Sequence, residues 1–183
     1  MSSLKQTGYV ATPDCLRTFG LLGAVSSFSI VHFAVPLPVF VAVQPAGAFP
    51  WCVRKDVSVA DGFVEVRFKA ISGREDQAGG VVWRWKDGDN YYVARANALE
   101  NNVSLYYTAN GRRNTLKYVD APVPGNTWHA LRVEFSGKKI RVIYDGKPAI
   151  EMEDAHTAGP GAVGVWTKAD SVTLFDDFGY GGK

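Results

Sequence analysis

From residue 57 onward, apolar and polar side chains alternate along much of the chain. In the stretch 64–70 the even positions are apolar and the odd positions are charged, and the same spacing returns at 131–135 and 140–144. A period of two places one kind of side chain on each face of a β-strand. No comparable stretch has helical spacing, so the pattern predicts an all-β fold.

Short apolar runs separated by turn-forming pairs place the individual strands. Asn110-Gly111 and Asp145-Gly146 tolerate the positive φ that a tight hairpin requires. The predicted strands are 62–70, 79–86, 90–98, 102–109, 113–119, 128–136, 139–145, 147–153, 161–167 and 171–179. Strands at this spacing, without crossover helices, predict an antiparallel sandwich or barrel.

The charge distribution narrows the classes of partner. The chain of 183 residues has 20 Lys and Arg against 18 Asp and Glu, and it has no basic run. This near balance gives no electrostatic footprint for nucleic acid. Aromatic residues make up 13% of the chain, which is typical of a folded domain and not of a disordered one.

The front of the chain differs in composition from the rest. Thr18–Val53 carries no charge apart from His32, and Ala46-Gly47-Ala48 has the small-x-small pattern of a signal-peptidase site. We interpret residues 1–48 as an apolar leader, either a signal peptide or a membrane anchor, ahead of one domain at 49–183. An apolar strand pair or a misassigned start codon is the alternative. The leader predicts a secreted or periplasmic protein that contacts the membrane only through this N-terminal segment.

Three separated blocks of the sequence carry a family resemblance. They are residues 79–97 (GGVVWRWKDGDNYYVARAN), 128–133 (WHALRV) and 161–178 (GAVGVWTKADSVTLFDDF). Together they resemble the bacterial 3-keto-disaccharide hydrolase-like domains of the concanavalin A-like lectin/glucanase superfamily, which are similar in fold to laminin G modules. The resemblance implies a two-sheet antiparallel jelly-roll sandwich with one concave face, in an exported protein that handles carbohydrate.

A saccharide site needs flat apolar surface and planar or charged hydrogen-bonding groups, and residues 83–97 concentrate both. A hairpin through Asp87-Gly88-Asp89 with Arg84 opposite Tyr92 would place those two side chains on one face. Trp85, Tyr91 and Arg95 would then occupy the other face with Trp83, and a register slip of one residue would exchange the partnerships. Trp83 and Trp166 lie in apolar runs and are interpreted as core. The predicted ligand-binding residues are Arg84, Trp85, Tyr92, Arg95, Asn97 and Lys168.

Candidates for catalysis are few. Glu151 and Glu153 occupy alternate positions, as the paired carboxylates of retaining glucanases do, but the third carboxylate of the family 16 arrangement is missing. A solvated strand face is the favoured interpretation of that pair. The candidate acids and bases for catalysis are Glu153, His156 and Asp176. No cofactor is indicated, except that carboxylates near Asp176 offer the oxygen ligands that calcium prefers.

Three functions fit these observations. The first is a non-catalytic carbohydrate-binding domain. The second, implied by the family resemblance, is a hydrolase or lyase acting on 3-keto-disaccharides. The third is a laminin G-like adhesion module that binds protein.

Overall fold

Two antiparallel β-sheets, packed face to face, form the part of the chain that the computed structural model describes, residues 49–182. The predicted leader, residues 1–48, lies outside the described residues. Within 49–182 there are eleven strands and no helix, so no helix there could cross a bilayer. The strands are β1 (Trp51–Val59), β2 (Gly62–Ser72), β3 (Ala78–Asp87), β4 (Asn90–Asn97), β5 (Asn102–Ala109), β6 (Arg112–Asp120), β7 (His129–Ser136), β8 (Lys139–Tyr144), β9 (Lys147–Glu153), β10 (Gly161–Trp166) and β11 (Val172–Gly182).

The strand order gives a jelly-roll sandwich. Sheet A has the order β1-β10-β3-β4-β5-β6, and sheet B has the order β11-β2-β7-β8-β9. Every neighbouring pair is antiparallel. The predicted all-β two-sheet fold is confirmed, and each of the ten predicted strands is present within a few residues of its expected bounds.

The sequence pattern missed the first strand. Trp51, Cys52 and Val53 are all buried, so apolar side chains leave both faces of β1 at this point. A strand that is apolar on both faces shows no alternation and resembles a continuous apolar run. β1 pairs with β10 and forms one edge of sheet A.

The main core lies between the sheets. Trp83 of β3 is fully buried there, as predicted, and stacks on Tyr92 of the same sheet and on Phe135 of sheet B. Close approach of the sheets requires Gly79 of β3, because a Cβ at that position would lie 2.3 Å from the ring of Phe68 in β2. Such interlocking is expected of interiors packed as densely as organic crystals.

A β-bulge at Arg84 decides which side chains of β3 and β4 face this core. Arg84 has a φ of 46°, and the pairing of β3 with β4 changes register beyond Trp83. Trp83 therefore pairs with Tyr92, and both side chains point toward sheet B. The predicted pairing of Arg84 with Tyr92 is wrong by one residue. Trp83 pairs with Tyr92 and Asp87 pairs with Asn90, so the three bulge residues 84–86 lie opposite Tyr91 alone. Within the bulge, Trp85 points away from sheet B.

Candidate functional site

The side of sheet A that points away from sheet B carries an unusual set of side chains, and we call it the outer face of sheet A. None of the eleven described strands lies over it, since all belong to the two sheets. Its apolar members form a second cluster, separate from the core between the sheets. Its aromatic and ionisable members are Trp51, Trp85, Tyr91, Arg95, Tyr106, Arg113, Tyr118 and Trp166. Trp166 is buried as expected, but on this face instead of between the sheets.

A polar network on β4, β5 and β6 is centred on Arg95, and we call it the Arg95 cluster: Arg95, Glu100, Asn102, Tyr106 and Tyr118. One guanidinium nitrogen, Nη2 of Arg95, donates to Glu100 Oε2 at 2.7 Å and to the hydroxyls of Tyr106 at 3.0 Å and Tyr118 at 3.1 Å. Glu100 Oε2 also accepts from the Tyr118 hydroxyl at 2.5 Å and from Asn102 Nδ2 at 3.0 Å. The cluster joins a guanidinium, a carboxylate, an amide and two phenol rings.

The alternation of these strands explains why the members meet. Asn102 and Tyr106 of β5 point away from sheet B, while Leu105 between them points into the core. Arg95 pairs with Ser104, and Ser104 pairs with Tyr118, so the three strands bring Arg95 and Tyr118 into one row. Glu100 lies in the turn between β4 and β5.

Solvent reaches this cluster at its rim. Arg95 is 1% exposed, whereas Tyr118 is 46% exposed and the side chain of Glu100 is 34% exposed. Partial burial disfavours the charged form of Glu100, but hydrogen bonds from Arg95, Tyr118 and Asn102 outweigh that effect and lower its pKa to about 2. Glu100 is therefore a carboxylate at neutral pH and can accept hydrogen bonds from a ligand.

Several buried donors on the outer face of sheet A have no acceptor. Among the described residues, Trp51 Nε1, Trp85 Nε1, Arg95 Nε and Arg113 Nη1 find no hydrogen-bond partner. Burying such a donor without a partner costs about 1–3 kcal/mol. A ligand rich in acceptor oxygens would satisfy these groups.

Two further predicted ligand residues, Asn97 and Lys168, also belong to this side of sheet A, but their polar groups already bind another side chain of the protein. Asn97 Nδ2 donates to one carboxylate oxygen of Asp76, and Lys168 Nζ pairs with the other. Asp76 and Asn97 are buried, at 1% and 0% exposure. These contacts fasten the segment before β3 to the sheet and engage both polar head groups.

The structure corrects the prediction that Arg84 binds the ligand, because this residue lies away from the outer face of sheet A. Its guanidinium is 3% exposed and donates to the carbonyl oxygens of Ala60 at 3.2 Å, Gly137 at 2.8 Å and Thr157 at 3.4 Å. These carbonyls belong to three different loops at one end of the sandwich. The bulge directs Arg84 toward them, so its role is to hold loops together.

The structure also corrects the prediction that Tyr92 binds the ligand. Its ring lies fully buried between the sheets, its hydroxyl donates to Asp154, and the backbone N–H of Thr157 donates to that hydroxyl at 3.1 Å. Burial and the neighbouring carboxylate raise the pKa of Tyr92 well above its ordinary value. Tyr92 is therefore a neutral hydrogen-bonding group of the interior.

The candidate base His156 lies beside an acid in the loop after β9. Its Nδ1 is 2.7 Å from Asp154 Oδ2, and its ring stacks on Tyr107 with centroids 3.9 Å apart. Half of the His156 side chain is exposed, whereas that of Asp154 is 7% exposed. The carboxylate fixes one ring nitrogen of His156, an arrangement used in acid–base chemistry.

The other acidic candidates lie on sheet B. Glu153 and Glu151 line a groove of about 730 Å³ on the side of sheet B that faces away from sheet A. Arg141 in the same groove contacts Glu151 at 2.8 Å and Glu134 at 3.8 Å. Arg141 pairs with both carboxylates, so the charges of this groove are balanced within it.

Asp176, the calcium candidate, lies at an irregularity of β11. Its Oδ1 accepts from the backbone N–H of Asp177 at 2.8 Å, and Asp177 has a φ of 49° and contacts Arg67 at 3.5 Å. In residues 49–182, no group of three or more His, Cys, Asp or Glu side chains could hold a metal ion. Calcium binding at Asp176 stays a prediction.

Of the predicted ligand residues, the structure places Arg95 and Trp85 on the outer face of sheet A. Glu100, Asn102, Tyr106, Arg113 and Tyr118 were not selected, although Asn102, Ser104, Tyr106 and Thr108 share one face by the same period of two. Following the polar face of β5 would have identified Asn102 and Tyr106 as neighbours of Arg95. No sequence signal places Glu100, because it lies in a turn.

Comparison with known proteins supports the fold. No protein-family model matches the chain, and no curated protein matches its sequence. Among solved structures, the chain is similar to a carbohydrate-binding module, CBM66, from Bacillus subtilis, with 20% identity, a TM-score of 0.68, and 77% of this chain and 90% of that chain covered. It is also similar to the galectin LEC-6 from Caenorhabditis elegans, with 11% identity, a TM-score of 0.55, and coverage of 86% and 99%.

A third similar structure is an enzyme. The β-glucanase from Bacillus licheniformis has 16% identity and a TM-score of 0.53, and the match covers 69% of this chain and 68% of that chain. At these identities the likeness shows the fold alone. The chain therefore has the jelly-roll fold of these structures.

Proposed function

We propose that the protein binds saccharides without catalysis, and that the Arg95 cluster on the outer face of sheet A is the binding site. The observation that carries this proposal is a half-exposed phenol ring, Tyr118, beside a carboxylate, an amide and a buried guanidinium with an unpartnered Nε. A ring of this kind stacks on the C–H face of a sugar, while the charged and amide groups bond its hydroxyls. The carbohydrate-binding module and the galectin among similar structures agree with this function.

The test is a glycan array probed with the full chain and with two variants, Glu100→Gln and Tyr118→Ala. Each variant removes an exposed contact, so we expect a loss of affinity of about tenfold for whichever glycan binds. Glu151→Gln is the matched control, since it also neutralises an exposed, arginine-paired glutamate, but on sheet B. Equal affinity in the wild type and in both site variants would contradict this location of the site.

A second candidate function is hydrolysis or lysis of 3-keto-disaccharides, as the sequence resemblance implies. The Asp154–His156 pair favours it, because it places a half-exposed imidazole against a buried carboxylate in the loop after β9. This candidate predicts turnover of 3-keto-glycosides that His156→Gln abolishes. Turnover that persists in that variant, or an absence of turnover in the wild type, contradicts it.

A protein-binding role, as in laminin G-like modules, is the third alternative, and a pull-down with the full chain tests it. It would appear as capture of a protein partner that added saccharide does not displace.

We also propose that the protein is exported, because of the uncharged stretch Thr18–Val53 and the Ala46-Gly47-Ala48 pattern. The intact mass of the protein recovered outside the cytoplasm tests this, with loss of residues 1–48 as the expected result for a signal peptide.

A further inference from the structure

Arg113 of β6 is a cation on the outer face of sheet A, next to the Arg95 cluster. Its guanidinium carbon lies 4.2 Å from the ring centroid of Phe49 and 4.6 Å from that of Tyr106. Arg95 also contacts the Tyr106 ring, at 5.7 Å. Two guanidinium groups therefore share one phenol ring.

The two arginines differ in their counter-charges. Arg95 is paired with Glu100 at 2.7 Å, and Lys168 of the same sheet side is paired with Asp76. Among the described residues, no carboxylate lies within ion-pair distance of Arg113, and its buried Nη1 has no hydrogen-bond acceptor. Burial and the charge of Arg95 lower the pKa of Arg113.

An arginine in this position is costly for the protein alone. A guanidinium stays protonated in proteins, so it cannot escape the cost of burial by losing its proton. The aromatic contacts attract the cation, but they do not satisfy an N–H group that is removed from water. A counter-anion that reaches Nη1 would compensate both the charge and the missing hydrogen bond.

We propose that the saccharide bound at this site is acidic, and that its carboxylate pairs with Arg113 while its hydroxyls meet the Arg95 cluster. A sugar carboxylate suits this position because its two oxygens match the guanidinium fork. The inference rests on the proposed function, since it assigns the class of saccharide that the same site selects.

The test measures the affinity of the full chain for uronic acid oligosaccharides and for the same oligosaccharides after reduction of their carboxyl groups to alcohols. Reduction removes the charge and keeps the ring hydroxyls. We expect the acidic form to bind about tenfold more tightly than its reduced partner. In Arg113→Gln this preference should fall to within about twofold.

Two further variants control the experiment. Arg112→Gln removes the neighbouring exposed cation of the same strand and should keep the preference. Arg113→Lys keeps the charge without the guanidinium fork and should retain only part of the preference for the acidic form. Arg113→Gln also loses the contacts of the cation with Phe49 and Tyr106, so thermal unfolding of Arg113→Gln and Arg113→Lys shows that both variants are folded before their affinities are compared.

The other outcomes separate this inference from the proposed function. Binding of reduced and acidic forms with equal affinity overturns the inference and leaves the saccharide site standing. A preference for acid that Arg113→Gln does not alter overturns it as well, as does a preference for sulfated sugars over uronic acids. An absence of binding to every saccharide, acidic or neutral, contradicts the proposed function and the inference together.

Discussion

The ionisation of Glu100 makes the stability that the Arg95 cluster contributes depend on pH. Its pKa is about 2 in the folded protein, below the ordinary value of 4.5. A carboxyl group whose pKa is depressed by folding contributes stability above its unfolded pKa, and that contribution is lost as the pH falls through the folded value. The stabilisation from Glu100 is therefore complete above pH 4.5 and disappears as the pH falls toward 2.

We expect Glu100→Gln to lower the thermal unfolding temperature at pH 6 and to narrow its difference from wild type between pH 4.5 and 2. The reason is that the amide cannot lose the charge that the wild type loses in this window. Thermal unfolding followed by circular dichroism at several pH values measures the effect. A constant difference from pH 6 down to pH 2 would argue against a depressed Glu100 pKa.

Arg84 supports the loops at one end of the sandwich, and its removal should cost stability instead of ligand affinity. Arg84→Ala leaves three carbonyls without their donor, and we expect a loss of about 3 kcal/mol in the free energy of unfolding. Arg67→Ala is the control, since Arg67 is half exposed and its carboxylate partner lies 3.5 Å away, and it should cost less than about 1 kcal/mol. Denaturant unfolding measures both, and an unchanged stability in Arg84→Ala would disprove the loop-holding role.

At the scale of the strands, Gly79 permits the close packing of β3 on β2. Gly79→Ala places a methyl group against the Phe68 ring, and we expect a cost of about 1–3 kcal/mol because the core has no room to relax. Gly182→Ala is a suitable comparison, as a Cβ there meets nothing nearer than 3.7 Å. Equal denaturation midpoints for the two variants would show that the sheets separate easily at Gly79.

Strand positions could be predicted from the sequence wherever one face of the strand is polar. The ten strands from β2 to β11 meet this condition or are bounded by clear turns, whereas β1 has apolar residues on both faces at Trp51–Val53 and was missed. The register of β3 against β4 could not be predicted. The bulge begins at Arg84, and the positive φ of this residue is held by distant loop carbonyls that no local pattern reveals.

At the scale of the whole molecule, the outward faces of sheet A and sheet B differ in how their polar groups are paired. The groove on sheet B pairs its charges within itself, as in the contacts of Arg141 with Glu134 and Glu151. The outer face of sheet A instead combines aromatic rings with donors that lack acceptors, and Arg113 there lacks a counter-charge among the described residues. This asymmetry is the reason for assigning ligand binding to sheet A.

Much of the candidate site could not be predicted from the sequence, because it depends on which strands are neighbours in sheet A. Arg95 was identified from its segment alone, but its partners Glu100 and Tyr118 come from a turn and from β6. They meet only because β4, β5 and β6 are neighbours in sheet A. The sequence likewise offered Tyr92 as a ligand residue, because a buried tyrosine and a groove tyrosine look the same until the register is known.

The most direct test of the saccharide site is a two-dimensional ¹⁵N NMR titration of the full chain with a glycan selected on the array. The side-chain Nε–H of Arg95 and the amides of β5 and β6 should shift as the glycan binds. The indole Nε1–H of Trp83, which is buried between the sheets, should stay in place. Shifts confined to the groove of sheet B or to the loop of His156, with the Arg95 signal unmoved, would contradict the assignment of the site to the outer face of sheet A.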